Sequence, residues 1–500
     1  MDSSNIQKFF KNKTIFLTGG TGFLGKVLIE KLLRTTQIQR IYVLVRPKAG
    51  KDINERIPHI FKDHLFEKLL KLHNDPVKYI KAIAGDCMLN NLGMTNIDRQ
   101  ELIENCDVII HTAATVRFNE PLSNAISVNV QATVDLLNLA KEMKKLKAFV
   151  HVSSAFANCL DFHIEETYYT DRLGITAEEL LKIKGKVNDA ALDSMHSKLV
   201  NKFPNTYCYT KSVAEEAVLK LGNTLPICIF RPGIIIPTSN EPVPGWIDNL
   251  YGPTSIIYGG ALGVLRVIYC RASSNAGLVP VDYCVNMIMA GAWHTATDIT
   301  QIPSLKPPIY NLVPDESNTL KWTTYKSFVE GYGRKIPLAS MIWYPFLLCT
   351  ETYWIYKFLC FVYHTVPGYI IDTILLSMGR KRRMTRTYQK IHKTSSYLRY
   401  FTENSWTFDT SNTKYLWSLM NSQDQRLYNF DMVSFDWSQY AVNSLVGMRK
   451  YLAKEEPDTI PKAKKLMRRL YILNFVVHSF VCATFFWLLW TIFNSVFPST

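Results

Sequence analysis

Tyr207 and Lys211 stand four residues apart, a spacing that places both side chains on one face of a helix. An ammonium beside a phenol favours the phenolate. It is expected to lower the tyrosine below its reference value of roughly 10, so that Tyr207 gives a proton to a carbonyl oxygen at neutral pH. Tyr209 is a neighbouring decoy, only two residues from Lys211. A YxxxK pair is common by chance and needs company. Ser153 and Ser154, in Val150-His-Val-Ser-Ser-Ala-Phe-Ala-Asn, offer hydroxyls at the end of an apolar run. They either cap a turn or, for Ser154, hydrogen-bond an oxygen as it becomes an anion.

A second group of residues suits a nucleotide. Thr18-Gly-Gly-Thr-Gly-Phe-Leu-Gly sets Gly19, Gly22 and Gly25 in a GxxGxxG pattern, between an apolar run and a helical one. Glycine lets the backbone turn tightly and approach a pyrophosphate, whose charge meets free N–H groups at the helix N-terminus. Thr18, Phe23 and Leu24 belong to the same turn and are expected to help form the site. An NAD-specific site carries an acid roughly 20 positions beyond the glycines; this chain has Val45-Arg46-Pro47-Lys48 there. A guanidinium suits a 2′-phosphate, so NADPH is the expected cofactor. Asp86, in Ala84-Gly-Asp, either faces the adenine or is an ordinary acidic loop residue.

These residues need a frame, and short apolar runs alternating with helical patterns supply one. Candidate strands are Thr14–Thr18, Ile41–Val45, Val108–His111, Ala148–Val152, Ile227–Arg231 and Ile309–Val313, with a further strand expected before Asp86. Gly25–Leu33 and Val128–Met143 carry 3.6-residue periodicity. Strict alternation predicts an α/β fold, a doubly wound parallel Rossmann sheet with the site residues at its strand ends.

Composition narrows the classes. The 500 residues exceed one ordinary core, and 47% hydrophobic with 20% charged residues is a globular balance. The net charge of +15 favours an anionic partner: a nucleotide phosphate, CoA or an acidic membrane surface. Basic clusters at Arg380–Arg386 and Lys462–Arg469 adjoin apolar stretches without a nucleic-acid motif, so no nucleic acid is expected. Ten cysteines stand singly, with no CxxC pair and no His/Cys cluster at zinc spacing. Neither a disulfide scaffold nor a metal is expected, and the thiols read as reduced and cytosolic. Met1-Asp-Ser-Ser has no apolar region behind it of the kind a cleaved secretory signal needs.

After Lys321 the alternation stops. Ile336–Met378 holds apolar stretches broken by Pro345, Glu351, Lys357 and Pro367, which read either as a membrane-touching helical domain or as an aromatic-rich core. Leu470–Phe497 contains no Asp, Glu, Lys or Arg and is long enough for the roughly 30 Å hydrocarbon core. Its flank Lys462-Ala-Lys-Lys-Leu-Met-Arg-Arg belongs on the cytosolic side, which orients the N-terminal domain to the cytosol.

The chain resembles the animal, insect-like fatty acyl-CoA reductases, extended short-chain dehydrogenases joined to a male-sterility-type C-terminal domain. Beyond the glycine loop, the resemblance rests on His111-Thr-Ala-Ala-Thr-Val-Arg-Phe-Asn-Glu-Pro-Leu, His151-Val-Ser-Ser-Ala-Phe-Ala-Asn and Asn205-Thr-Tyr-Cys-Tyr-Thr-Lys-Ser-Val-Ala-Glu. It continues through Phe230-Arg-Pro-Gly, Pro244-Gly-Trp-Ile-Asp-Asn and Leu278-Val-Pro-Val-Asp. It implies a catalytic triad of Ser154, Tyr207 and Lys211, with Thr18, Gly19, Gly22, Phe23, Leu24, Gly25, Arg46, Asp86 and Lys211 at the cofactor. It also implies reduction of long-chain acyl-CoA to a fatty alcohol with two NADPH, through a bound aldehyde. The expected division is a reductase domain over 1–330, a membrane-associated helical domain over 331–465 and a transmembrane anchor over 466–497. Membrane lipid is an expected partner, and a homo-oligomer is compatible. The endoplasmic reticulum is the expected membrane and the peroxisome the alternative, although Pro498-Ser-Thr is not a peroxisomal address. Two rivals share features: a membrane-bound hydroxysteroid or sterol dehydrogenase, and a catalytically idle NADP(H)-binding scaffold. Pro244-Gly-Trp-Ile-Asp-Asn and the C-terminal region oppose the first, and the Tyr207–Lys211 pair opposes the second.

Overall fold

The structure is a computed structural model that describes residues 3–47, 53–297 and 306–496; Lys48 and the last residues from Phe497 lie outside them. Seven strands form one parallel sheet: β1 (Thr14–Thr18), β2 (Arg40–Val45), β3 (Ile80–Ala84), β4 (Val108–His111), β5 (Ala148–Val152), β6 (Ile227–Pro232) and β7 (Ile309–Leu312). Their order is β7-β6-β5-β4-β1-β2-β3. β1, β4, β5, β6 and β7 are buried throughout. Helices cover both faces of such a sheet, which is why these strands read as continuous apolar runs rather than as alternating ones.

Four helices bear on the site: α1 (Phe23–Thr35), α2 (Ala132–Glu142), α3 (Thr206–Leu221) and α4 (Val281–Thr297). α1 packs with α4, and α2 with α3. The helical pattern read from Val128 does not begin as an α-helix, because Ile126–Gln131 forms a wider π-turn. There the Asn129 side chain accepts from the Thr115 N–H (3.0 Å) and donates to the Thr210 hydroxyl (2.9 Å), tying the loop after β4 to α3. Wide turns of this kind recur at functional sites.

Strand order reverses between β1 and β4. In a doubly wound sheet the crevice outside the strand C-termini at that switch point receives the ligand. Gly19, Arg46, Asp86, Thr112 and Ser154 all lie just past the C-terminal ends of β1, β2, β3, β4 and β5.

The chain divides into two compact units that interleave in sequence. The sheet unit holds residues 1–247, 273–322 and 400–440, and the second holds 248–272, 323–399 and 441–500. Specific bonds explain why 400–440 belongs to the sheet unit. Thr407–Phe408 pairs with His163–Ile164, the Trp406 indole N–H donates to the Cys159 carbonyl (3.1 Å), and half-buried Glu166 accepts from Asn311 N–H (2.7 Å) and the Thr413 hydroxyl (3.1 Å).

In the second unit, Val267–Tyr269 pairs with Leu348–Thr350, followed by helical segments Tyr353–Cys360, Phe361–Thr365 and Val366–Ser377. The helix Ile460–Val496 comes last. Tyr353–Ser377 and Pro457–Thr491 are long and apolar enough to cross a membrane.

Candidate active site

The Asn205 side chain caps α3 by accepting from Cys208 N–H (2.9 Å), which fixes where the helix starts and therefore where Tyr207 and Lys211 fall on it. Ser153 and Ser154, adjacent at the end of β5, have different partners. Ser153 donates to the Glu215 carboxylate (2.5 Å), whereas the Ser154 hydroxyl accepts from Phe156 N–H (3.2 Å) and lies near enough to the Tyr207 phenol to favour its ionised form. The structure thus brings Ser154 and Tyr207 together and assigns Ser153 to a second network.

Lys211 is buried, and its ammonium donates to the Val152 carbonyl at 2.7 Å. Burial lowers it to about 8, against the attraction of Glu215 one turn along α3. The expected lowering of the Tyr207 phenol by Lys211 is not met. Burial pushes the phenol up, the nearby Ser154 hydroxyl draws it back, and the Glu215 charge adds to the rise. The physical reason is that the ammonium is directed at the end of β5 rather than at the phenol. Tyr207 is consequently a protonated donor at neutral pH.

Glu215 was not singled out by sequence reasoning, and it anchors the site. Its carboxylate accepts from Ser153, from Asn158 (3.0 Å) and from Arg231 through Nε (2.8 Å) and a terminal nitrogen (2.6 Å). Arg231 is fully buried and also donates to the Glu165 (3.0 Å) and Thr167 (2.8 Å) carbonyls. The signal was present as an acid four residues beyond Lys211, together with Arg231 in Phe230-Arg-Pro-Gly. Asn129 was missed for a different reason, since its side-chain partners, Thr115 and Thr210, come from two other segments.

The glycine loop fits a dinucleotide. Gly19 adopts φ +76°, and a side chain there would meet Thr112 Oγ1 at 2.5 Å; one at Gly25 would meet the Gly19 carbonyl oxygen at 2.3 Å. Gly22 caps α1 without a side chain, and the first turn holds no acid, so the helix N-terminus offers its N–H groups and partial positive charge to an anion. Phe23 stacks on Trp246 (5.4 Å between centroids), whose indole donates to Asp63 (2.8 Å), so Pro244-Gly-Trp braces the start of α1. Leu24 lies within that first turn. Thr18 is buried, with its hydroxyl 2.7 Å from His111 Nδ1, which leaves it bracing the loop rather than facing outward. Arg46 and Asp86 form an ion pair (Nε to Oδ2, 2.9 Å), while Asp86 Oδ1 accepts from Met88 N–H (3.0 Å). Arg46 remains half-exposed, and the pair uses one of its five N–H donors.

An aromatic wall starts at the catalytic face. The Phe118 ring lies 6.0 Å from Tyr207 and 5.3 Å from Phe401, and Phe156 packs edge-on against Phe401, Trp406 and Phe408. All ten cysteines are free.

Known proteins match this arrangement across nearly its whole length. An NAD-binding male sterility protein family matches residues 17–288, and a second male sterility protein family, Sterile, matches 363–455. The chain is 42% identical to fatty acyl-CoA reductase wat of Drosophila melanogaster, covering 98% of this chain and 94% of that protein. It is 37% identical to human fatty acyl-CoA reductase 2, covering 95% and 92%. Among solved structures, the terminal R domain of the myxalamid PKS-NRPS pathway aligns with a TM-score of 0.56 at 21% identity, over 89% of this chain and 92% of that one. The reductase domain of a Mycobacterium tuberculosis non-ribosomal peptide synthetase also gives 0.56, at 17% identity over 91% and 96%. These two carry the fold. The chain is a nicotinamide-dependent oxidoreductase and belongs to the fatty acyl-CoA reductase family.

Proposed function

We propose that this chain reduces long-chain fatty acyl-CoA to fatty alcohol and CoA, with Ser154, Tyr207 and Lys211 as the catalytic set and NADPH as the cofactor. The observation that carries the reading is the nearness of the Ser154 and Tyr207 hydroxyls at the C-terminal edge of the sheet, with buried Lys211 one turn away. Gly19, Gly22, Gly25, Phe23 and Leu24 would hold the pyrophosphate end of the cofactor, with Arg46, oriented by Asp86, at the 2′-phosphate. The nicotinamide, when bound, supplies hydride.

A thioester lies two reductions from an alcohol. The first gives a hemithioacetal, which collapses to aldehyde and CoA thiol; the second gives the alcohol. Each reduction leaves negative charge on the substrate oxygen. Ser154 stabilises that charge by hydrogen bonding, and Tyr207 delivers the proton. The raised Tyr207 still suffices, because an alkoxide's conjugate acid is about as weak as water, at roughly 15.7. Lys211, held on Val152 and near Glu215, places a positive charge on the same helical face. The aromatic wall beginning at Phe118 supports retention of the aldehyde, each buried CH₂ contributing about 0.8 kcal/mol.

The proposed division by sequence assigns 1–330 to the reductase domain, 331–465 to the helical, membrane-associated domain and 466–497 to the anchor, in the endoplasmic reticulum membrane with the catalytic domain in the cytosol; within it, 400–440 pack in the sheet unit and 248–272 in the second. Support for the anchor comes from the exposed Phe475, Phe480, Phe486 and Trp490 on the last helix.

The test supplies purified full-length chain with C16 or C18 acyl-CoA and NADPH, and measures products and cofactor together. Two NADPH oxidised per alcohol, with little free aldehyde, is expected. One NADPH per aldehyde with no alcohol would make this a single-step reductase, and turnover of a steroid alone would transfer it to the dehydrogenases.

A further inference from the structure

Tyr353–Ser377 is long and apolar enough to cross a membrane, but the helix packed beside it decides otherwise. Tyr356, Cys360, His364, Gly368 and Asp372 recur every fourth residue and all five are buried, so one stripe of the segment faces the protein. Its partner is the helix Met384–Glu403. Contacts between the two follow each other in antiparallel order. The Asp372 carboxylate accepts from the backbone N–H groups of Arg383, Met384 and Thr385 (2.9 Å each), and a side chain at Gly368 would meet the Tyr388 ring at 3.0 Å. His364 stacks on Tyr388 (4.8 Å between centroids), its Nδ1 lies 3.0 Å from His392 Nε2, and the Arg399 guanidinium lies over the Tyr353 ring (4.5 Å). A segment crossing the hydrocarbon would carry this partner with it, including the exposed Arg386, Lys390 and Lys393. Charged side chains at that depth are costly, whereas a segment lying in the interfacial plane leaves them on its aqueous side.

The remaining face of the segment is apolar and open. Trp354, Phe358, Phe361, Tyr369, Ile370 and Ile374 are each exposed by 53% or more, and a contiguous apolar surface of this kind marks an interface. The last helix indicates what covers it. The Trp343 indole N–H donates to the Asn474 side chain (2.8 Å), and the Tyr363 hydroxyl lies 3.2 Å from His478 Nε2. Ile460–Val496 therefore passes the segment at the charge-free stretch that begins with Leu470, where the proposed anchor enters the bilayer. At its far end the segment turns through Gly379 (φ +71°) into Arg380, Lys381, Arg382 and Arg383, all exposed. None of these four side chains has an ion-pair partner among the described residues, and Asp372 fixes the backbone that carries them beside the apolar face.

We infer that Tyr353–Ser377 lies in the plane of an anionic membrane leaflet, with its open face in the acyl boundary and the basic run on anionic phospholipid headgroups. The inference rests on the anchor reading of the last helix and adds to it a second membrane contact, the direction of the segment and a class of lipid.

The experiment uses the full chain reconstituted in vesicles of equimolar phosphatidylcholine and phosphatidylserine. Thr352→Cys and Thr387→Cys, exposed on either side of the segment, are made singly in a Cys482→Ser background. An impermeant maleimide is expected to label both from the side that carries the N-terminal residues. Labelling of Thr352→Cys with protection of Thr387→Cys would make the segment a span and overturn the inference. A photoreactive benzoylphenylalanine in place of Phe358 or Met378 is expected to cross-link lipid. At Met378 it should capture phosphatidylserine at least about fivefold over phosphatidylcholine, which roughly one cation near an anionic surface supplies. The Arg380→Gln/Lys381→Gln/Arg382→Gln/Arg383→Gln variant should lose that preference while binding NADPH as before. No lipid adduct at either position, equal capture of the two lipids, or a preference that the variant keeps would each overturn the inference. A full-length chain that carbonate strips from the vesicles would instead reject the anchor reading, and this inference with it.

Discussion

At the C-terminal edge of the sheet, charged and polar side chains are buried: Lys211, Glu215, Arg231, Asn129 and Ser153 are all nearly inaccessible, and the structure gives each a hydrogen-bond partner. Along Ile460–Val496 the arrangement is inverted, with Phe475, Phe480 and Trp490 exposed by more than 60%. Ordinary globular surfaces show neither pattern. Burying an unpaired charge is costly, and a contiguous exposed apolar surface marks an interface. The first region tolerates burial because every charge has a partner, and positions those charges as a result. The second tolerates exposure only if a nonaqueous phase covers it. On the proposed reading, one region carries the chemistry and the other fixes where it occurs.

The largest effect expected from breaking this contrast is on partitioning. Removing residues from Leu470 onward should move the protein from the carbonate-washed membrane fraction to the supernatant. Full retention would assign the anchor to Tyr353–Ser377, the other span of sufficient length. Next comes the proton donor: Tyr207→Phe should lower kcat by about 10² to 10⁴ while cofactor affinity, read by fluorescence titration, stays near that of the parent. Substantial residual turnover would remove Tyr207 from that role.

Glu215→Gln probes the buried network itself. It leaves the Arg231 guanidinium without its anion, a loss of about 3–5 kcal/mol in a denaturant titration. It also removes the charge that holds Lys211 up against burial. If the Lys211 ammonium is required, kcat declines as pH rises through about 8, and in the variant this alkaline limb moves to lower pH. A purely structural role for Glu215 would cost stability without moving the limb. Arg46→Ala should raise KM for NADPH roughly 10- to 100-fold and leave KM for NADH nearly unchanged, since a charge-assisted hydrogen bond contributes about 1.5–3 kcal/mol. The smallest effect belongs to Tyr209→Phe. Tyr209 is fully buried and its hydroxyl has no partner among the described residues, so removing that oxygen should leave activity unchanged and stability equal or slightly higher.

Much of this was legible in sequence because local rules govern it. The strands appeared as apolar runs, the glycines as a turn that no side chain fits, and Tyr207 with Lys211 as neighbours on one helical face. The Leu470–Phe497 stretch was visible from its lack of charge alone. The interleaving of the two units was not legible: residues 400–440 return to the sheet through Trp406, Thr407 and Thr413, and no periodicity encodes a partner some 250 positions away.

The sequence by itself determined residue types and their spacing: which helix carries the phenol, which turn is built of glycines, and which segment is long and apolar enough to cross a membrane. Tertiary structure alone decided how those groups are partnered. It turned Ser153 toward Glu215 and Ser154 toward Tyr207, joined Arg46 to Asp86 across adjacent strand ends, and directed the Lys211 ammonium at Val152. The reason is that a side chain's charge and hydrogen bonding depend on what burial places within about 3 Å of it, and in this site those neighbours come from distant segments of the chain.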